Sequence, residues 1–293
     1  MATQVWHILE ESTNSDSTAA KEERNQMYTD VATLYHDFRP RYPETLIDDA
    51  IKESPLLQSQ DASKCKILEI GCGPGTLTLP LAMRDFDITT IDPGVGMLNK
   101  CKEVCSGFQN VEFHQVPFKD FHSDVQFDTI LAGTSIHWAI AGKEQREMVK
   151  KLHSLLKDDG KLILLWNYPP EPSEDIRSAA AGAFGASEPF YFGTNSVEGH
   201  EKSLTEKVLV PLFDGDHFEL LKTLRSDTIT NPSPRDYISF LKTLSPNIVK
   251  EKEEATKYFG TIERILVEKC GDSLMTSGVS SANIISKVPS QTI

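Results

Sequence analysis

Between Lys66 and Asn167 short apolar runs alternate with segments whose apolar residues recur at helical spacing. Ile67–Ile70, Ile88–Ile91, Val111–Gln115, Phe127–Ala132 and Lys161–Trp166 read as buried strands. Leu77, Leu79, Leu81 and Ala82 mark a helix between the first two, with Thr76 as its N-cap and Pro80 in its first turn. Met97, Leu98, Cys101, Val104 and Cys105 mark a second helix, and Met148, Leu152, Leu155 and Leu156 a third over residues 142–157, stopped at Asp159-Gly160. Strands and helices in strict alternation predict a doubly wound α/β core with a parallel sheet and helices on both faces.

The flanks read differently. Upstream, Tyr28–Tyr35 and Glu44–Lys52 are predicted helices, and Pro40 and Pro43 hold the chain extended between them. Downstream, Phe218–Ile229 and Ala282–Val288 are predicted strands, bringing the sheet to seven, with helices over Pro232–Leu244 and Ile248–Cys270 between them. In the last helix Ala255, Phe259, Ile262 and Leu266 form the core stripe, which leaves its charges on a solvated face. Residues 1–27 are polar except around Trp6 and are expected to be a tail, with Trp6 able to fold back into a lid. Residues 168–216, with Pro169, Pro170, Pro172 and the cluster Phe190, Tyr191, Phe192, are expected to be an irregular lid beside a crevice. The expected organisation is therefore a tail over 1–27, a core over 28–167, a lid over 168–216, and 217–293 completing the same domain.

Charge narrows the partners. Forty-three acidic against 30 basic residues give a net charge of −13, which disfavours nucleic acid and anionic membrane surfaces. No leader pattern and no membrane-length apolar window occurs, so a cytoplasmic location is expected. The five cysteines, at 65, 72, 101, 105 and 270, have no metal-ligand spacing, and reduced thiols and no metal are expected.

The candidate chemistry lies in the first turn. Gly71, Gly73 and Gly75 follow a strand carrying Glu69, and Asp92 closes the next strand 21 residues after Gly71. A dinucleotide fingerprint requires a third glycine where Thr76 stands, so the match to a nicotinamide site is imperfect and an oxidoreductase is the lesser alternative. The G-x-G-x-G turn with its two acids resembles the S-adenosylmethionine (SAM) loop of class I methyltransferases, a Rossmann-like fold whose last two strands pair antiparallel at a sheet edge. The resemblance implies SAM as cofactor and S-adenosylhomocysteine (SAH) as product. It sets Asp92 on the ribose hydroxyls, the glycine backbone with Glu69 and Met97 around the cofactor, and the carbonyls near Gly71 and Ala132 on its ammonium group. The acid that usually binds the adenine amino group is not evident in Val116–Asp120, where Pro117 and Phe118 stand in for it. The string from Tyr35 through Arg39-Pro40-Arg41-Tyr42-Pro43 resembles the N-terminal segment of small-molecule methyltransferases and brings Tyr35 and Arg39 to the cofactor; its alternative role is to anchor the N-terminal helices on the sheet.

The His137-Trp138 pair resembles the trans-aconitate methyltransferase group, and the whole resemblance spans residues 28–167. It implies an acceptor site of Ser135, His137, Trp138, Arg41 and Tyr191, and transfer to a small metabolite, specifically a carboxylic acid methylated on oxygen or on sulfur. His137 is open to three readings: general base, orienting group, or core histidine. Arg39, Arg41, Arg177 and Arg235 are candidates for an anion clamp, each with a surface ion pair as the alternative. A non-catalytic SAM-binding regulator is the remaining alternative, and monomer and homodimer stay open.

Overall fold

The structure is a computed structural model that describes residues 18–55, 61–140, 142–184, 197–214, 217–248 and 252–288. Its centre is a mixed open sheet in the order β3-β2-β1-β4-β5-β8-β6, with β7 paired to β8. The strands are β1 (Lys66–Ile70), β2 (Asp87–Ile91), β3 (Val111–His114), β4 (Phe127–Gly133), β5 (Leu156–Asn167), β6 (Glu171–Pro172), β7 (Phe218–Thr230) and β8 (Thr276–Lys287). β1 to β5 are parallel; β8 runs antiparallel to β5, β6 and β7. The predicted seven strands are therefore present, and the two-residue β6 is the eighth.

Successive buried residues serve opposite faces of the sheet. Leu68, Ile130, Leu162 and Leu164 point to one core, which α6 (Gln145–Leu155) closes with Val149 and Leu152. Ile67, Leu131, Ile163 and Leu165 point to the other, closed by Ile47 and Ile51 of α2 (Glu44–Lys52) and by Leu77 and Leu81 around α3 (Thr78–Ala82). The connections from β1 go one way to β2 and, by way of β3, the other way to β4. The crevice above the C-terminal ends of β1 and β4 is thus the switch point where α/β sheets bind ligands.

Several boundaries differ from expectation. α1 runs from Thr18 to Phe38, so residues 18–27 are helical and the predicted tail ends earlier. The stretch Ala-Ala-Lys-Glu-Glu-Arg is polar, which reads as tail, but it consists of strong helix formers. The expected Thr76 cap is not made: α3 starts at Thr78 behind Leu77, with no side-chain cap bond. β8 starts six residues before the predicted Ala282, because Ser280 and Ser281 are buried and continue the ladder that the apolar pattern alone does not reveal. The predicted irregular lid is largely helical: α7 covers Glu174–Phe184, and α8 (Val197–Leu204) continues through a π-helical turn at Thr205–Leu209 into α9 (Val210–Phe213). Beyond it α10 (Pro234–Lys242) and α12 (Lys252–Cys270), separated by the short α11 (Ser245–Ile248), pack with α7 in a third apolar cluster around Phe240, Tyr258 and Ile262. Among the described residues no helix is long and apolar enough to cross a membrane, and no group of His, Cys, Asp and Glu is placed to hold a metal ion. All five cysteines are free thiols.

Candidate active site

A single cavity of about 970 Å³ opens over the C-terminal ends of β2, β1, β4 and β5. Its floor begins at the glycine turn. Gly71, Gly73 and Gly75 have φ of +72°, +53° and +88°, a region where side chains carry a steric penalty. Each has its own reason. A Cβ on Gly71 would sit 2.6 Å from Ser135 Cβ, whereas one on Gly75 would sit 2.7 Å from Val104 Cγ2 on α4 (Val95–Val104). Nothing stands within 4 Å of a Cβ built on Gly73, so the backbone there is open to a ligand.

Two carboxyl groups flank this turn. Asp92, 9% exposed, accepts the N–H of Gly73 at 2.9 Å on Oδ2 and that of Gly94 at 2.8 Å on Oδ1. Burial pushes its pKa up and the two amides oppose this. Each oxygen keeps a second acceptor position. Glu69 lies beneath, with Oε2 accepting from Thr78 at 2.7 Å and Thr90 at 3.2 Å; burial, augmented by Asp92, lifts its pKa to about 7. Thr76 Oγ1 is buried beside the turn with no hydrogen-bond partner among the described residues.

The segment from α1 to α2 straps the crevice. Thr29 Oγ1 accepts the N–H of Gly96 at 3.2 Å. His36 donates through Nδ1 to the carbonyl of Pro74 at 3.2 Å and accepts Arg41 Nη2 on Nε2, also at 3.2 Å, which makes it a neutral imidazole. Arg39 lies 4.5 Å over the ring of Tyr35 and donates to the carbonyl of Thr243 at 2.9 Å. Asn167 holds Pro40 at 2.8 Å, and Tyr42 meets Thr134 Oγ1 at 2.9 Å against Gly133.

The opposite wall is aromatic. His137, on the short helix α5 (Ile136–Ala139), has its ring 4.9 Å from Trp138 and 5.9 Å from Trp166. Burial, with Lys207 adding to it, lowers the His137 pKa to about 4. His200 on α8 lies 6.0 Å from Tyr168, and burial lowers it likewise to about 4. Both are neutral at pH 7.

Of the residues expected at the cofactor, Tyr35, Arg39, Glu69, Gly71, Gly73 and Asp92 line the cavity, as do Met97, Pro117 and Phe118. Ser135, His137 and Trp138 line it on the acceptor side. Three of the expected residues are not among those lining the cavity. Gly75 is spent on the close approach of α4, Ala132 is buried within β4, and Arg41 turns outward onto His36. Arg177 does not reach the cavity either, being paired with Glu171 at 2.6 Å and Glu174 at 2.5 Å, and Arg235 is not among the lining residues. Tyr191, Phe190 and Trp6 lie outside the described residues. Trp166, Tyr168, His200 and Lys207 were not anticipated; Trp166 lies near the end of β5 and Tyr168 just beyond it, and the last two sit on helical turns that the proline-rich lid pattern concealed.

A family model described as a methyltransferase domain matches residues 67–160. Residues 67–160 are thus similar in sequence to that domain. An uncharacterized methyltransferase of Staphylococcus carnosus is 31% identical over 100 residues, covering 34% of this chain and 46% of its own length. The chain spans about half the length of the curated relatives it matches. A putative type II methyltransferase from Anaeromyxobacter dehalogenans shares the fold with a TM-score of 0.58 at 15% identity, covering 85% of this chain and 98% of its own. A SAM-dependent methyltransferase from Geobacter sulfurreducens, solved with SAH, aligns with a TM-score of 0.51 at 13% identity over 90% of this chain and 98% of its own. The Rossmann-like fold of these methyltransferases is therefore shared, and the cofactor that the likeness implies is SAM.

The residues present fit that cofactor. The uncovered backbone at Gly73 leaves room for its methionine moiety, the free acceptor positions of Asp92 suit two ribose hydroxyls, and Thr76 offers an unused hydroxyl. Met97, Pro117 and Phe118 supply an apolar slot for adenine.

The two low-pKa histidines bear on stability. A base whose folded pKa lies below its unfolded value favours folding above the unfolded value, near 6.5, and that contribution is lost as pH falls toward 4. Glu69, raised to about 7, gives a slope of opposite sign between pH 4.5 and 7. Comparing chains that differ only at residue 200 separates them: His200→Gln is expected to lose less thermal stability than the natural chain between pH 6.5 and 4. Parallel curves of Tm against pH would contradict a buried neutral His200.

Proposed function

We propose that this protein transfers the methyl group of SAM to a small metabolite bearing a carboxylic acid, at a carboxylate oxygen or at a sulfur. The observation that carries this reading is the continuity of one cavity from the glycine turn to the aromatic wall. Its volume, about 970 Å³, is at the top of the range for small-molecule sites, enough for the cofactor and a second compact ligand side by side. The α1–α2 strap narrows the approach and favours a metabolite over a macromolecule. The His137-Trp138 pair supports an acceptor like those of the trans-aconitate group.

When bound, SAM supplies a methyl carbon on a sulfonium; the sulfur keeps the bonding electron pair, and the positive charge is cancelled by a carboxylate acceptor or carried over to the sulfur of a thioether acceptor. The protein's own task is alignment and exclusion of water, worth up to ~7–11 kcal/mol in favourable cases. Ser135 is fixed for this by donating to the carbonyl of Ile70, which ties the β4 turn to the β1 turn. His137 serves as an orienting group. An imidazole with a pKa near 4 is a poor base for a hydroxyl proton, while a carboxylate or thioether needs none removed.

The test is incubation with methyl-labelled SAM and fractionated metabolite extract, followed by mass identification of the labelled product. Binding of SAM with no labelled product from any fraction would favour a regulatory protein instead. For His137→Asn, SAM affinity is expected to stay unchanged while kcat falls by about tenfold to a hundredfold. The deficit should be the same from pH 6 to 8; a deficit that shrinks as pH rises would restore the general-base role.

A further inference from the structure

Among the described residues two that are not glycine have a left-handed backbone, Asp85 at φ +60° and Thr134 at φ +54°. Asp85 stands in an exposed turn and belongs to a residue type that enters this region readily. Thr134 does not. Its Cβ is branched, and a branched side chain in that conformation is an outlier that persists only where the surroundings over-determine it. It lines the cavity, between the end of β4 at Gly133 and α5, which carries His137 and Trp138.

The groups that hold it come from two directions. From β5, the carbonyl of Leu165 accepts the Thr134 N–H at 2.8 Å, and the N–H of Asn167 donates to Thr134 Oγ1 at 3.4 Å. From the strap, the Tyr42 hydroxyl shares a hydrogen bond with Thr134 Oγ1 at 2.9 Å. Tyr42 is 6% exposed and packs against Gly133, where a Cβ would lie 2.9 Å from the tyrosine oxygen. Two residues earlier the Pro40 carbonyl accepts Asn167 Nδ2 at 2.8 Å. The strap is therefore fastened to the ends of β4 and β5 through Pro40 and Tyr42, and to the cofactor side through Thr29 on Gly96 and His36 on Pro74. A glycine at 134 would fit the backbone without steric cost and would supply no hydroxyl. The strain at this position is thus tied to the group that joins the strap to the turn carrying His137.

We propose that Thr134 is a positioning residue: its left-handed backbone sets the direction in which the chain leaves β4 toward Ser135, His137 and Trp138, and its hydroxyl lets Tyr42 of the strap hold that direction. Seating of the strap and orientation of the acceptor-side wall are then one event. Thr134 acts through Tyr42 and the turn and not on a reacting atom. Its part in methyl transfer rests on the function proposed above; the coupling between strap and turn does not.

The test compares the full natural chain with Tyr42→Phe, Thr134→Ala, Thr134→Ser and Thr134→Gly. Histidine ring NMR, recorded without ligand, reads the turn through His137, whose signal is identified by its loss in His137→Asn. The His137 resonances are expected to move in Tyr42→Phe and Thr134→Ala and to keep their natural positions in Thr134→Ser, which retains the hydroxyl. A hydroxyl that served packing alone would change Tm and leave His137 where it is. Calorimetric titration with SAH reads the strap: Tyr42→Phe and Thr134→Ala are each expected to weaken binding about threefold to tenfold, and the double variant no more than Thr134→Ala alone, because both substitutions break the same hydrogen bond. Thr134→Gly and Thr134→Ala lack the hydroxyl alike, so a higher Tm in the glycine variant isolates the backbone strain. His137 resonances unmoved in Tyr42→Phe, SAH losses that add in the double variant or are absent from both single ones, or a glycine variant no more stable than the alanine variant overturns the assignment. If the natural chain does not bind SAH, the methyltransferase reading falls, while the ligand-free NMR comparison still decides the role of Thr134.

Discussion

Asp92→Ala is expected to weaken SAM and SAH binding by about 3 kcal/mol, roughly a hundredfold in Kd, in a chain that still folds. Two losses combine. The ribose hydroxyls lose a charged acceptor, and the N–H groups of Gly73 and Gly94 lose the carboxylate that now fixes them at 2.9 and 2.8 Å. The glycine turn is thus loosened by the same substitution that removes the ligand contact. Asp92→Asn should fall between the two, since its carbonyl can satisfy one amide while its NH₂ faces the other donor. Calorimetric titration with SAH, alongside circular dichroism to verify the fold, is the measurement. A folded Asp92→Ala chain with natural affinity would remove Asp92 from the cofactor site.

The second large effect is on stability. Gly71→Ala is expected to destabilise the protein by about 2–5 kcal/mol, the sum of a left-handed backbone penalty and an overpacked contact with Ser135 Cβ at 2.6 Å. That corresponds to a fall in Tm of about 5–10 °C. Gly73→Ala carries a φ of +53° but meets no atom within 4 Å, so it should cost only about 1–2 kcal/mol. The difference between the two variants isolates the Ser135 contact. Adding Ser135→Gly to Gly71→Ala should recover most of that difference, at the cost of the hydrogen bond from Ser135 to Ile70. Equal Tm values for Gly71→Ala and Gly73→Ala would show that β4 does not press on the glycine turn.

The two halves of the cavity were unequally legible in the sequence. β1 and β4 announce themselves because they are buried on both faces, so Ile67–Ile70 and Phe127–Ala132 are mostly apolar runs. Asp92 and the glycines are legible because a tight turn over a ligand leaves little freedom of residue type. The roles within that turn were not. Gly73 and Gly75 look alike in a motif, yet one is open to a ligand and the other is filled by α4, a distinction that depends on a helix 20 to 30 residues away. The sequence could not rank the arginines as clamp candidates because it does not show their partners: Arg177 finds Glu171 and Glu174 locally, and Arg41 finds His36. Lys207 and His200 were hidden for a different reason. They occupy one helical stretch from Val197 to Phe213 whose π-helical turn at Thr205–Leu209 interrupts the regular apolar repeat, so no sustained periodicity stands out.

The order of the chain therefore separates what is shared with relatives from what is individual. The matched domain ends at residue 160, inside β5, and the wall formed by Trp166, Tyr168, His200 and Lys207 begins six residues later. The family model takes in the glycine turn, Asp92 and the His137-Trp138 pair, and stops before the strand end and the helices that close the far wall. A substitution on that far wall leaves the glycine turn and Asp92 untouched, so the two ends of the cavity can be altered independently of one another.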